Sequence, residues 1–233
     1  MKMQFYIEKD EAIQILISVI AISIAFAIVF SGGISNVIKY PKDFFIFSAL
    51  SIVTVGSGFI LHEMAHKLVA IYYGAHAKFR MWMQGLLLMF LTSLFGFIFA
   101  APGAVYIYSR NISKKQNGIV SLVGPLVNIA ISFVFIALSL YEPVIFHFDF
   151  LRNSLNVWKF GAQINIILAL FNMIPAFPLD GSKVFMWNKL VWVIIVLFSL
   201  AVGVQLFSTS LIFSWVILLV LSLLFSKLLF GNR

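Results

Sequence analysis

Apolar residues fall in runs of membrane-crossing length at about residues 12–31, 44–73, 116–139, 154–177, 189–206 and 209–230. Each run predicts an α-helix, since roughly 20 apolar residues rising about 1.5 Å apiece cover the ~30 Å hydrocarbon layer. The polar breaks SGGISNVIKYPKD, SRNISKKQNG and YEPVIFHFD read as connections. The run at about 85–107 is ambiguous between a crossing and a segment that enters and returns. AHAKFRMW and GAVYIYS flank it and are strand-like, with β-branched and aromatic residues. Such backbone survives at membrane depth where protein buries it or where it lines a water-filled cavity.

Composition agrees with the pattern. The chain is 62% hydrophobic and 10% charged, outside the proportions of soluble domains. The predicted fold is an all-α polytopic membrane protein of about six transmembrane helices, with a small strand or re-entrant segment near residues 76–109. No polar stretch is long enough for a second, soluble domain, so residues 1–233 are expected to form one membrane domain. Glu8, Asp10 and Glu11 stand where a leader peptide would be basic, so the first run is expected to be a retained anchor. The net charge of +8 is scattered over short loops and fits positive-inside bias; no nucleic-acid partner is expected.

Within the second run lies His62-Glu63-Met64-Ala65-His66. Residues four apart share a helix face, so His62 and His66 can offer two imidazoles to one zinc ion. Glu63, about a quarter turn round, lies near the metal's water without being a natural ligand. This pattern suggests hydrolysis with Glu63 as general base. There is no cysteine, so other ligands must come from His, Asp or Glu. A catalytic zinc takes three protein ligands, and Asp180 in FNMIPAFPLDG is the best third candidate, with a simple turn residue as its alternative. Glu142 and Asp149 flank a polar loop, and Asp43 sits at a helix start where the macrodipole favours it.

Other polar residues have plainer alternatives. Asn172, eight residues before Asp180, is a candidate donor to the substrate carbonyl or its oxyanion, or else a helix-ending amide. Asn128 is a second substrate candidate, although packing of Gly124 and hydrogen bonding of Asn128 across helices is the favoured reading. Asn165 is expected to make an interhelical bond, Lys67 to snorkel to the interface, and His76 and His147 to lie at the surface. Phe and Trp are taken as lipid-facing or interfacial anchors.

Three motifs, His62-Glu63-x-x-His66, Gly124-Pro125-Leu126-Val127-Asn128 and Asn172-x-x-Pro175-x-x-Pro178-Leu179-Asp180-Gly181, together resemble the site-2 protease family of intramembrane zinc metalloproteases. They span residues 62–181, about half the chain. The resemblance implies that His62, His66 and Asp180 bind one zinc ion and that Glu63 is the catalytic acid/base. It also implies a three-helix catalytic core at about 44–73, 116–139 and 154–177, within a core of about 44–181. The remaining helices are then peripheral. The chain departs from larger relatives in having no segment long enough for a PDZ domain or a CBS pair, and in Ser182 where many have a second glycine.

The function expected is hydrolysis of peptide bonds in or near transmembrane segments of protein substrates, within a lipid bilayer. A metal transporter and a silent membrane scaffold are the alternatives. Clustering of the acidic and imidazole groups at one depth, beside a ready general base, argues against transport. If the run at 85–107 returns, most basic residues, among them Lys78, Arg80, Lys114 and Lys115, share one side. Lys39, Lys42, Arg152 and Lys159 then lie toward the other. Positive-inside bias thus predicts a multi-pass protein of the cell membrane with a cytoplasmic N-terminus and an active site near that face.

Overall fold

A computed structural model describes residues 5–98, 101–109, 111–151 and 154–230, with side chains followed to Leu224. The molecule is 73% helix. Its elements are α1 (Lys9–Phe30), α2 (Ile34–Lys39), α3 (Pro41–Ser51), a π turn (Ile52–Gly56), α4 (Ser57–Tyr72), β1 (His76–Met81), α5 (Met83–Ser93) and β2 (Gly103–Tyr108). There follow α6 (Lys114–Tyr141), β3 (Ile145–Phe146), β4 (Leu155–Asn156), α7 (Val157–Asn172), α8 (Asp180–Trp187), α9 (Lys189–Leu206) and α10 (Ser210–Phe230). Among the described residues, four helical stretches are long and apolar enough to cross a membrane: α1, the continuous Pro41–Tyr72 helix, α6 and α9.

Local chemistry sets several boundaries. Ser113 Oγ accepts from the Gln116 N–H while the Gln116 side chain accepts from the Ser113 N–H, a reciprocal cap that starts α6. Asn188 Oδ1 likewise accepts from Leu190 and Val191 at the start of α9. The run expected as a helix at 154–177 is helical only over the 16 residues of α7. Asn156 caps its start and its apolar continuation, through Pro175 and Pro178, becomes a turn because proline cannot extend the helical hydrogen bonding.

The ambiguous run holds α5 and most of β2. The strands pair antiparallel with His76 opposite Tyr108, Phe79 opposite Val105 and Met81 opposite Gly103. A second short ladder, β3 with β4, joins Ile145 to Asn156 and Phe146 to Leu155; β3 lies in the stretch read from sequence as a connection and β4 in the first residues of the run expected as a helix at about 154–177.

The first turn of α1 docks on β1 and α4. Both carboxylate oxygens of Glu11 lie 2.7 Å from Lys67 Nζ, and Oε1 also accepts the Phe79 N–H at 2.8 Å. Gln14 accepts the Met81 N–H at 2.9 Å. Lys78 pairs with Glu8 and Asp10, and Arg80 with Asp10. The expectation that Lys67 snorkels is therefore corrected: it is buried, held by an acid distant in sequence that lies beside it in space.

Phe47, Phe79, Met89 and Ile164 form the buried centre where α1, the Pro41–Tyr72 helix, α5 and α7 meet. Ile166, Leu170, Met173, Ile174 and Val184 pack under α9 and α10. Trp192 and Trp215 donate their indole N–H groups to the Met173 and Leu170 carbonyls. These aromatic residues are thus core or interhelical struts, while Phe45, Phe95 and Phe213 stay exposed as expected of lipid-facing side chains.

Candidate metal centre

α4 carries His62, Glu63 and His66, all buried. The i,i+4 spacing brings the imidazoles edge to face, with Nε2 atoms 3.0 Å apart. Asp180, the first residue of α8, closes the triangle: its Oδ2 lies 3.3 Å from His62 Nε2 and 3.0 Å from His66 Nε2. The turn after α7 makes this approach possible. A Cβ on Gly181 would fall 2.2 Å from the Met173 carbonyl oxygen, so only glycine lets α8 start so close to the end of α7. Being in the first turn, the Asp180 carboxylate also gains from the α8 dipole.

The donor set fits zinc. Ligand atoms at about 2.0–2.1 Å from a tetrahedral ion stand roughly 3.3 Å apart, and the three atoms here lie 3.0 to 3.3 Å from one another. Both histidines present the correct nitrogen. His66 Nδ1 faces the Val120 carbonyl at 2.6 Å, an acceptor only, so Nδ1 carries the hydrogen and Nε2 keeps its lone pair. His62 Nδ1 faces Asn128 Oδ1 at 2.5 Å. Among the described residues, His62, His66 and Asp180 are the one group of three His, Asp or Glu side chains that could hold a metal ion.

Glu63 does not join that triangle. Its Oε2 accepts the Val105 N–H at 2.8 Å, which ties the carboxylate to β2 immediately beside the metal ligands. Lys183, one turn along α8, lies 3.6 Å from the other Asp180 oxygen.

The remaining candidates divide. Asn128 is fully buried, with Nδ2 donating to the Gly58 carbonyl and to Asn165 Oδ1. Asn172 ends α7 and donates to the Leu168 carbonyl. His76 and His147 are exposed, as expected. Sequence reasoning missed the Val120 carbonyl and the Val105 N–H. Every residue carries such groups, and only the paired strands and the close α4–α6 packing select these two.

Two imidazoles and one carboxylate within 3.0 to 3.3 Å of one another, with the Glu63 carboxylate held alongside, fit the class of zinc metallohydrolases. Comparison with known proteins narrows it. Residues 148–195 match Peptidase family M50. The chain is 42% identical over 195 residues to the protein named "Putative zinc metalloprotease MJ0611" of Methanocaldococcus jannaschii, covering 82% of this chain and 91% of that one. It is 27% identical over 139 residues to "Zinc metalloprotease MJ0392" of the same organism, covering 60% of this chain and 34% of that protein. It is 28% identical over 153 residues to "Putative zinc metalloprotease YwhC" of Bacillus subtilis, covering 57% and 66%. No solved structure matches the chain significantly. The chain belongs to peptidase family M50, the site-2 protease family, and is a membrane zinc metalloprotease whose cofactor is zinc.

Proposed function

We propose that this protein is an intramembrane endopeptidase that hydrolyses peptide bonds in or near transmembrane segments of membrane proteins. The observation that carries the reading is the convergence of His62, His66 and Asp180, with Glu63 beside them, between helices of membrane-spanning length. His62, His66 and Asp180 hold the zinc ion. Bound zinc supplies a Lewis acid that polarises the scissile carbonyl and acidifies water. Glu63 takes the proton of the attacking water and passes it to the leaving amine. Asn128 orients His62 from within the protein, and Asn172 is the candidate donor toward the developing oxyanion.

In this reading α7 and α10 join the four long apolar helices to make six crossings in one membrane domain. The segment from β1 to β2 enters and returns: the register that sets His76 against Tyr108 favours one depth for both its ends. Positive-inside bias then gives a cytoplasmic N-terminus, and the metal centre lies toward the cytoplasmic face of the cell membrane. A sidedness reporter beside Lys114 or Lys115 is expected on the cytoplasmic side, and an external signal would overturn this topology.

A transmembrane substrate must unwind before its peptide bonds can be attacked, and the β1–β2 sheet has one edge suited to receive it. The Phe79 and Met81 N–H groups of β1 point outward and are filled by Glu11 and Gln14 of α1. The outward N–H of Val105 on β2 points at Glu63 instead. An extended substrate added to β2 takes the Val105 N–H over from Glu63 and so lies next to the released base and the proposed metal ligands.

The test is cleavage of a model transmembrane substrate by purified protein in detergent, wild type against Glu63→Gln, with zinc measured in both. The expected result is retained zinc with activity lowered by orders of magnitude in the variant. Undiminished cleavage by Glu63→Gln, or no zinc in folded wild type, would overturn the reading.

A further inference from the structure

Asn165 lies on α7, fully buried, and contacts neither Asp180 nor the metal-facing nitrogens among its described bonds. Its Nδ2 faces two backbone carbonyls, Thr54 at 3.1 Å and Gly161 at 2.9 Å. Carbonyls only accept, so the amide nitrogen must point at them and Oδ1 must point away. Oδ1 meets Asn128 Nδ2 at 2.9 Å, and that same Nδ2 reaches the Gly58 carbonyl at 3.2 Å. Two acceptors therefore fix the Asn128 amide as well, leaving its Oδ1 to face His62 Nδ1 at 2.5 Å. Flipping either amide would set oxygen against oxygen and N–H against N–H in a site with no exposure to water.

Resting on the zinc-protease reading above, we infer that Asn165 is a positioning residue for the metal centre: through Asn128 it fixes His62 with the hydrogen on Nδ1 and the lone pair on Nε2. The relay begins at the π turn, where Thr54 presents its carbonyl to α7; such turns widen a helix locally and recur near functional sites. Gly58 makes room for it, since a Cβ there would lie 2.2 Å from Asn165 Oδ1. His66 needs no such relay because one backbone carbonyl fixes its ring. The coordinating state of His62 thus depends on how the Pro41–Tyr72 helix, α6 and α7 pack together.

Zinc affinity tests this directly, measured by competition with a chromophoric chelator on purified full-length protein, together with the visible spectrum of the cobalt-loaded form. Asn165→Leu removes the acceptor that holds Asn128, and Gly58→Ala displaces Asn165 without altering it. Each is expected to weaken zinc about 10- to 100-fold, the range for loss of an outer-shell partner, and to change the cobalt spectrum. Ser132→Ala is the control: it deletes a buried bond of the same α6–α7 interface, Ser132 Oγ to the Ala162 carbonyl, outside the relay. Its zinc affinity is expected to match wild type. Wild-type affinity in folded Asn165→Leu or Gly58→Ala would overturn the inference and leave the protease assignment intact. Equal weakening by Ser132→Ala would also overturn it, tracing the loss to helix packing. Absence of zinc binding by wild type would instead sink the metal centre, and this inference with it.

Discussion

Gly124 of α6 stands against the metal-facing edge of His66: a Cβ at position 124 would lie 2.5 Å from His66 Nε2 and 2.6 Å from His62 Nε2. The nitrogens proposed to hold the metal thus open toward a helix that leaves out one carbon to make room. Gly124→Ala is expected to fold, at a cost of about 1–3 kcal/mol for overpacking. It should bind zinc at least about tenfold more weakly, as expected when a metal ligand's surroundings are disturbed. Gly203→Ala is the control away from the site, since its Cβ meets the side chains of Leu211 at 2.3 Å, Ile166 at 3.2 Å and Leu170 at 3.8 Å. Equal zinc content in Gly124→Ala and wild type would refute this account of Gly124.

Removing the metal should cost stability. A ligand that binds only the folded state adds about 2.7 kcal/mol when its concentration is 100 times Kd. His62 and His66 lie on α4 and Asp180 on α8, so an ion held by all three would join two elements separated by more than a hundred residues. Chelation is therefore expected to lower the Tm of wild type and to leave that of Asp180→Asn unchanged, as followed by thermal denaturation in detergent. Equal shifts in both proteins would place the stabilising ion elsewhere.

The Val105 N–H gives a separate handle on the base. It points away from β1, so Val105→Pro removes the donor to Glu63 without deleting a bond of the β1–β2 ladder. A hydrogen bond to a charged group is worth about 1.5–3 kcal/mol, so loss of the anchor and of the edge donor should lower kcat/KM about tenfold or more. Zinc content should not change. Ala104→Pro, at the neighbouring position paired with Arg80, removes an inward-facing N–H and is expected to lower thermal stability instead. An unchanged kcat/KM for Val105→Pro would argue against both a held Glu63 and pairing of substrate on β2.

How much of this was visible beforehand depends on the range of the interaction. His62, Glu63 and His66 are legible because one helix face repeats every three to four residues. Asp180 is legible because Pro175, Pro178 and Gly181 mark a turn where a carboxylate is costly without a partner. The hydropathy pattern located α9 and α10 to within a residue or so. It failed between residues 85 and 107, where apolar composition alone could not separate the 11 residues of α5 from a longer crossing. The π turn carries no residue signature, and Asn165 shows an amide in a helix without showing that Asn128 and His62 lie beyond it. Lys67 was misread for the same reason, its partner lying 56 positions away.

That partner supplies the last test. Glu11 and Lys67 are both almost wholly buried, so each charge depends on the other, and the Glu11 carboxylate also accepts the Phe79 N–H. Removing one leaves the other unpaired, at a typical cost of about 3–5 kcal/mol, whereas replacing both by apolar residues of similar size is often neutral. Glu11→Leu and Lys67→Met should each lower Tm substantially, and the double variant should recover most of the loss. Lys67 follows His66 on α4, and Glu11 also holds the outer edge of β1, so the Glu11 variant should in addition free that edge. Hydrogen exchange at Phe79 is expected to rise in Glu11→Leu and to stay low in Lys67→Met, where the carboxylate remains to accept the N–H. Additive Tm losses in the double variant would show that the two side chains act independently.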